Sequence, residues 1–271
     1  MRYFLSAFAD EISPDLDEQL STLRRLEVGG LDLRSVQGKN VLDLTDDEVR
    51  QVRRKCEAAS IIPQAVGSPV NKVMLTDHNR EIELGRLERA INVAKLLGIA
   101  RIRIFTPEAP MGTDPWDEVC AWMCEQVELA EDNDILLLHE NDARFYGAYP
   151  DNSKRLLAEF GGKNFRAAFD FANTVLLGYR PWDDWFPWIL PHLDTLHIKD
   201  AQDGVILPAG QGDGQMERTF RWLVEQGWEG TLTLEPHLQA TGPFGGFTGD
   251  QLFESAVTAL RATLAAAGAE A

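Results

Sequence analysis

Four short segments in the second half of the chain share one design: a strand-forming run that ends in a side chain able to bind a metal ion or move a proton. They are residues 136–141 (LLLHEN), 167–171 (AAFDF), 195–200 (TLHIKD) and 232–237 (LTLEPH). They recur about every 30 residues, the period of a βα unit. Burying one carboxylate at a strand end is costly, and burying three without a counter-charge is worse. The simplest resolution is that Glu140, Asp170, His197 and Glu235 converge on one divalent cation.

One imidazole and three carboxylates form a ligand set of hard to intermediate character. Such a set suits Mn²⁺, Mg²⁺, Co²⁺ or Zn²⁺, and it argues against Cu(I) and iron–sulfur clusters. Any one of the four residues could instead cap the next helix or pair with an arginine. Four of them on consecutive strands are much harder to explain in that way, so we expect a single metal centre.

The composition favours one large enzyme-sized domain. The chain has 271 residues, of which 44% are hydrophobic, and a single (β/α)8 barrel typically needs about 250. Its net charge of −17 argues against nucleic acid or an anionic membrane as a partner. No apolar run approaches the roughly 18 residues of a membrane-spanning helix. We expect a cytoplasmic protein whose three cysteines are reduced core thiols.

Apolar runs typical of strands alternate with amphipathic runs typical of helices along the whole sequence. The expected strands cover residues 3–9, 30–36, 61–66, 99–105, 135–140, 165–171, 195–199 and 231–235. The expected helices cover residues 14–26, 45–56, 77–97, 115–131, 151–161, 182–190, 217–226 and 249–266. Thr45 and Glu48 predict a capping box for the second helix, and Gly98 predicts a C-cap for the third.

Eight successive βα units without a linker predict an α/β fold, a single-domain (β/α)8 barrel over residues 1–271. No G-x-G-x-x-G motif follows the first strand, so a dinucleotide-binding fold loses its main support. In a barrel, chemistry collects at the carboxyl ends of the strands. Besides the four candidate ligands, those ends offer Asp10, Glu11, Arg34, Gln64, Thr106, Glu108, Asp142, Asn173, Lys199 and His237.

Three further segments accompany the strand-end motifs: residues 8–12 (FADEI), 33–34 (LR) and 38–40 (GKN). Together they resemble the xylose isomerase-like TIM barrel superfamily, and in particular its sugar phosphate isomerase/epimerase branch. The resemblance covers nearly the whole chain. It implies that Glu140, Asp170, His197 and Glu235 hold one divalent metal, as a Glu, Asp, His and Glu on strands five to eight do in the family's ketose epimerases.

Two motifs depart from the family pattern. Where the family often has D-x-x-H after strand six, the chain has Asp170 followed by Asn173, which can hydrogen-bond a hydroxyl but cannot act as an imidazole. Where the family often has E-N-H after strand five, the third residue is Asp142. The chain has five histidines, too few at the rim for the multi-zinc site of the family's nucleases.

The resemblance implies a metal-dependent isomerase or epimerase that acts on a small sugar or polyol-derived ketone. Such an enzyme removes a proton next to a carbonyl, and the metal stabilises the resulting enediolate. Glu140 and Glu235 are the candidates for removing and returning that proton. A metal-dependent lyase of the inosose dehydratase type and a non-catalytic sugar-binding barrel are the alternatives.

Four rim side chains are candidates for substrate binding: Lys199, His237, Arg34 and Asn173. Lys199 could bind a substrate oxygen or form an ion pair with Asp200. Arg34 could bind an anionic group or neutralise barrel carboxylates such as Asp10, and His237 could instead orient the glutamate two residues before it. The glycine-rich segment 208–214 could cradle a phosphate, but it matches no P-loop, and a mobile rim loop is the favoured interpretation. The oligomeric state stays open, a homo-oligomer included.

Overall fold

The computed structural model describes residues 3–110, 112–162, 164–242 and 245–270, and its centre is a sheet of eight parallel strands. The strands are β1 (Phe4–Ala7), β2 (Gly30–Leu33), β3 (Ile62–Gly67), β4 (Arg101–Ile104), β5 (Leu136–Glu140), β6 (Phe165–Asp170), β7 (Leu193–Ile198) and β8 (Thr231–Leu234). Their spatial order is β1-β8-β7-β6-β5-β4-β3-β2. This is a nearly closed barrel, and the predicted (β/α)8 fold is confirmed.

Helices connect successive strands, as the alternating sequence pattern predicts. They are α1 (Leu16–Arg25), α2 (Asp46–Ala59), α3 (Asp77–Leu97), α4 (Trp116–Glu131), α5 (Pro150–Phe160), α6 (Phe171–Leu176), α7 (Phe186–Ile189), α8 (Met216–Glu225) and α9 (Asp250–Ala266). Thr45 and Glu48 form the predicted capping box at α2, each side chain accepting from the other residue's backbone N–H. Gly98 ends α3 with a φ of 76°, which confirms the predicted C-cap.

The segment after β6 differs from the single helix expected over residues 182–190. α6 begins directly at the end of β6, because Asp170 Oδ1 accepts a hydrogen bond from Asn173 N and caps the helix. A five-residue π-helical turn, Pro181–Trp185, then precedes the short α7. Both of these later pieces have a proline in their first turn, where the missing N–H is tolerated, so the prolines divide the expected helix.

Short antiparallel hairpins follow β2, β7 and β8 on the rim. They pair Ser35–Val36 with Lys39–Asn40, Asp200–Gln202 with Val205–Leu207, and Ala240–Gly242 with Gly245–Phe247. The first hairpin explains why β2 stops at Leu33 although its strand-like sequence continues to residue 36. The chain turns away from the barrel there and pairs with itself.

β1 and β2 lie at the two ends of the strand order and meet through side chains. Ser6 Oγ on β1 donates to Asp32 Oδ1 on β2 at 2.5 Å, and Thr233 Oγ1 on β8 donates to Asp32 Oδ2 at 3.0 Å. Gly30 on β2 lies against Phe4, because a Cβ at position 30 would stand 2.7 Å from Phe4 Cε1. This seam therefore depends on a residue without a side chain.

Replacing Gly30 by alanine should lower the free energy of unfolding by roughly 1–3 kcal/mol, since the added methyl group overpacks the seam. Gly85→Ala is the matched control: position 85 lies within α3, and a Cβ there has no heavy atom within 4 Å. That control should raise stability by about 0.5–1 kcal/mol through helix propensity. Urea unfolding of both variants measures the difference, and equal stability changes would contradict a tight seam.

The cysteines only partly match the expectation of three core thiols. All three are free, but Cys56 is buried whereas Cys120 is half-buried and Cys124 is exposed. The prediction is therefore wrong for the two cysteines of α4, which lie towards the outer side of that helix. Within the described ranges, none of the helices is both long and apolar enough to cross a membrane.

Candidate metal centre

The four predicted ligands meet at the carboxyl end of the barrel. Asp170 and His197 are register partners on β6 and β7, while Glu140 ends β5 and Glu235 directly follows β8. One ligand atom from each residue lies within 4.8 Å of the others, and none of the four residues is more than 3% exposed. The strand ends thus bring together the set that the sequence singled out, and their role as ligands stays a prediction.

Two of the candidate ligand atoms have no hydrogen-bond partner in the part of the chain that the structure describes. They are Asp170 Oδ2 and His197 Nδ1. His197 Nδ1 lies 3.4 Å from Glu140 Oε2 and 3.6 Å from Glu235 Oε2. Because Asp170 Oδ1 is used as the cap of α6, its Oδ2 is the oxygen left for a ligand.

Lys199 lies inside this cluster rather than on the outer rim. Its Nζ is 2.9 Å from Asp170 Oδ2, an ion pair without hydrogen-bond geometry, and 3.0 Å from Glu235 Oε2. The alternative ion pair with Asp200 does not form, because the Asp200 carboxylate accepts backbone N–H groups of Gly212 and Gly214 instead. Lys199 therefore touches two candidate ligands.

Arg34 is almost fully buried and is engaged by carboxylates. Its Nε lies 2.9 Å from Asp10 Oδ2, its Nη1 lies 3.0 Å from Glu235 Oε1, and its Nη2 lies 3.6 Å from Glu11 Oε1. The sequence left two roles open for Arg34. These contacts favour the neutralisation of barrel carboxylates over the binding of an anionic substrate group.

Asn173 and His237 also lie next to the candidate ligands. Asn173 Nδ2 donates to Glu140 Oε1 at 3.3 Å, so this residue contacts the cluster where the family often has a histidine. His237 Nε2 lies 3.2 Å from Glu11 Oε1 and 3.4 Å from Glu235 Oε1. His237 has a left-handed backbone conformation with a φ of 47°, and its backbone N–H donates to Glu11 Oε2 at 2.8 Å.

Burial and neighbouring charges set the protonation of the cluster. Burial raises the pKa of Asp170 to about 6, although the Lys199 ammonium opposes that shift. Burial would also raise the pKa of Glu140 and Glu235, but nearby positive charge outweighs it and holds both pKa values below their usual range. Arg103 contributes most to that effect at Glu140, and Lys199 does so at Glu235. Both glutamates are therefore carboxylates at neutral pH.

Carboxyl groups outnumber fixed positive charges at this end of the barrel. The acids are Asp10, Glu11, Asp32, Glu140, Asp170 and Glu235, and the bases are Arg34, Arg103 and Lys199. When no ion is bound, His197 and His237 can supply two of the three missing positive charges as imidazolium, because carboxylates raise their pKa values against the effect of burial. A divalent cation supplies the same charge in place of two protons. The donor set and the charge both fit one.

Comparison with known proteins identifies the fold family. Residues 23–262 match the sequence model of the xylose isomerase-like TIM barrel family. The chain belongs to this family. The resemblance inferred from the sequence motifs is therefore confirmed. No curated protein sequence matches the chain significantly.

Solved structures similar to this xylose isomerase-like barrel span almost the whole chain. An L-ribulose 3-epimerase has a TM-score of 0.75 at 15% identity, covering 99% of this chain and 96% of its own. The probable 3-DHS dehydratase AsbF from Bacillus anthracis has a TM-score of 0.75 at 15% identity, covering 96% and 98%. A xylose isomerase-like TIM barrel protein from Mycobacterium smegmatis, in complex with magnesium, has a TM-score of 0.72 at 17% identity, covering 98% of this chain and 97% of its own. At these identities the likeness shows the fold alone.

Arg103 is a residue of this xylose isomerase-like barrel's candidate site that the strand-end motifs do not single out. Its Nη1 lies 2.5 Å from Glu140 Oε2, and its guanidinium stacks 4.4 Å from the Phe105 ring and 5.2 Å from the Phe8 ring. The signal was present in the arginine–isoleucine alternation of β4, which directs arginines inward and isoleucines outward. Arg103 lies within β4 rather than at its carboxyl end, so a search restricted to the ends of the strands does not find it.

The glycine-rich loop 208–214 surrounds a carboxylate of the barrel itself. Asp200 is fully buried, and its side chain accepts the backbone N–H groups of Ala201, Gly212 and Gly214 at 2.8–2.9 Å. These N–H groups form the kind of nest that binds an anion. Because Asp200 already fills it, the loop is not free to hold a phosphate, and it fixes the backbone next to Lys199 instead.

Proposed function

We propose that the chain is a divalent-metal-dependent isomerase or epimerase of small sugar or polyol-derived ketones. The observation that carries this proposal is the convergence of Glu140, Asp170, His197 and Glu235, with Asp170 Oδ2 and His197 Nδ1 left without hydrogen bonds in the described chain. Mn²⁺, Mg²⁺, Co²⁺ and Zn²⁺ all suit this donor set. Membership of the xylose isomerase-like family and the epimerase-like fold support the same reading.

The difficulty of the reaction is the negative charge that appears on oxygen when a proton leaves the neighbouring carbon. When bound, a divalent ion supplies Lewis-acid stabilisation of that charge. Lys199 adds a second positive charge, because its buried ammonium lies against Asp170 and Glu235. The low exposure of the cluster keeps water away, so these charges act at close range with little screening.

Glu140 and Glu235 are the groups proposed to move the proton. Both are carboxylates at neutral pH, and both touch His197 Nδ1 from different strands. One carboxylate removes the proton next to the carbonyl, and the other returns a proton to a neighbouring carbon or to the opposite face. Asn173 and His237 lie beside these two glutamates and are proposed to bind substrate hydroxyls.

Solvent exchange tests this proposal directly. The purified protein with Mn²⁺ is incubated in D₂O with a panel of ketoses and their phosphates, and products are followed by NMR and mass spectrometry. The expected result is a product that carries deuterium on the carbon next to the carbonyl and has not lost water. A dehydrated product would identify the metal-dependent lyase instead. Mn²⁺ binding without exchange for any compound would favour a non-catalytic sugar-binding barrel.

A further inference from the structure

Asn141 stands where the hydrogen-bond ladder between β5 and β6 ends. The last register pair of these strands is Glu140 with Ala168, so Asp170 lies two residues beyond the ladder. Asp170 N donates to Asn141 Oδ1 at 2.7 Å, and Asn141 Nδ2 donates to Asp170 O at 3.0 Å. The side-chain amide of Asn141 thus forms hydrogen bonds with both the N–H and the C=O of Asp170.

A carboxamide can do this because it carries the same donor and acceptor as a peptide group, in one plane. Asp170 is fully buried, so its backbone N–H and C=O need partners inside the protein. Asn141 is only 2% exposed and supplies both partners. Its side chain thus continues the hydrogen bonding between β5 and β6 beyond the last backbone pair. Its Nδ2 also contacts Thr174 Oγ1 at 2.9 Å, and that hydroxyl donates to Asp170 O at 3.1 Å.

The position of the Asp170 carboxylate depends on these two hydrogen bonds from the Asn141 side chain. Its Oδ1 accepts from Asn173 N at 2.8 Å, which leaves Oδ2 facing Lys199 Nζ and the other candidate ligands. This division of the two oxygens requires the backbone at the junction of β6 and α6 to be held in one conformation. The ladder with β7 reaches Asp170 through its register pair with His197, but the ladder with β5 ends at Ala168, so on the β5 side the side chain of Asn141 supplies the constraint.

We infer that Asn141 is a positioning residue for the metal ligand Asp170, and this inference rests on the metal centre proposed above. The residue that follows one ligand in sequence holds the next ligand in space, so β5 and β6 are fixed relative to each other at the ion. Asn141 touches neither ion nor substrate in this role. Its effect on the centre passes through the backbone of Asp170.

Mn²⁺ alone is the probe for the test. An EPR titration counts free Mn²⁺ and gives the Kd, and the line shape of the bound ion reports the symmetry of its ligands. Asn141→Ala and Asn141→Asp should each weaken binding by roughly 10-fold or more, the cost typical of losing a group that orients a ligand. Both should also broaden or split the bound-ion signal. Thr174→Val keeps the hydrogen bonds between Asn141 and the Asp170 backbone and loses only the bridging hydroxyl. Its Mn²⁺ Kd should fall between those of the Asn141 variants and the wild type.

Asn164→Ala is the matched control. Asn164 connects the same two strands at their opposite ends, where its Nδ2 donates to Ile135 O at 2.8 Å. It should lower thermal stability while leaving the Mn²⁺ Kd and line shape unchanged. Folding of each variant is checked by circular dichroism. If Asn141→Ala fails to fold, the isosteric Asn141→Asp and the milder Thr174→Val decide the question.

The outcomes separate this inference from the proposed function. Wild-type protein that has been freed of metal with a chelator and then binds no Mn²⁺ would overturn the metal centre itself. Wild-type protein that binds Mn²⁺, together with folded Asn141 variants that bind it with the same Kd and line shape, would overturn only the role of Asn141. Equal weakening in the Asn164 and Asn141 variants would also overturn it, because the effect would then be one of general stability.

Discussion

Replacing Glu235 by glutamine should reduce deuterium uptake from D₂O into the ketose by roughly 10²–10⁴-fold, the usual contribution of a positioned acid or base. In the structure this carboxylate receives Arg34 Nη1 on Oε1 and Lys199 Nζ on Oε2, both at 3.0 Å. Glutamine keeps the shape but must point an N–H towards one of these cations. Glu140→Gln should have the same effect, since Glu140 Oε2 lies 2.5 Å from Arg103 Nη1.

Asp142→Asn is the control for both variants. Asp142 lies on the same rim two residues beyond Glu140, but it pairs with Lys72 at 2.8 Å and stands outside the cluster. This variant should retain the wild-type rate of exchange. Circular dichroism establishes that each variant is folded. Full exchange in either glutamine variant would rule out the two-carboxylate mechanism.

Saturating Mn²⁺ should raise the midpoint of thermal unfolding by about 5–10 °C over protein treated with a chelator. An ion at 100 times its Kd stabilises the native state by about 2.7 kcal/mol, and in a chain of this size each kcal/mol shifts the midpoint by about 2–4 °C. The gain arises because the ion binds only where the strand ends bring Glu140, Asp170, His197 and Glu235 together. Differential scanning calorimetry measures the shift.

Asp170→Asn should remove most of this Mn²⁺-dependent shift, because Asp170 Oδ2 is a proposed ligand atom. Asp114→Asn is its counterpart on an exposed carboxylate that pairs with Arg155 at 3.2 Å, and it should keep the full shift. An undiminished shift in Asp170→Asn would show that Mn²⁺ stabilises the protein at a different place.

The barrel and the meeting of its four candidate ligands could be predicted because both follow from local patterns. Strand-forming runs mark the strands, and the polar residues at their ends must reach the same rim when the strands are parallel. The caps at Thr45 and Gly98 were equally readable, since each depends on residues within one turn of the helix.

The network around the ligands could not be predicted in this way. Arg103 meets Glu140 and the ring of Phe8, partners from two distant parts of the chain, as well as the ring of Phe105 two residues away. Which arginine pairs with which carboxylate depends on barrel register and strand tilt, which no local pattern encodes. The break after β6 was missed for a different reason. Asp170 serves both as a candidate ligand and as a helix cap, and the ligand role hid the cap.

The four candidate ligands are at most 3% exposed, and this has a kinetic consequence. An ion held there can leave only when part of the rim opens, so its residence time is set by the rate of that opening rather than by affinity alone. Above a saturating concentration, more chelator will not speed up the loss of metal. The half-life of the bound ion in excess chelator should therefore report the rate at which the rim opens.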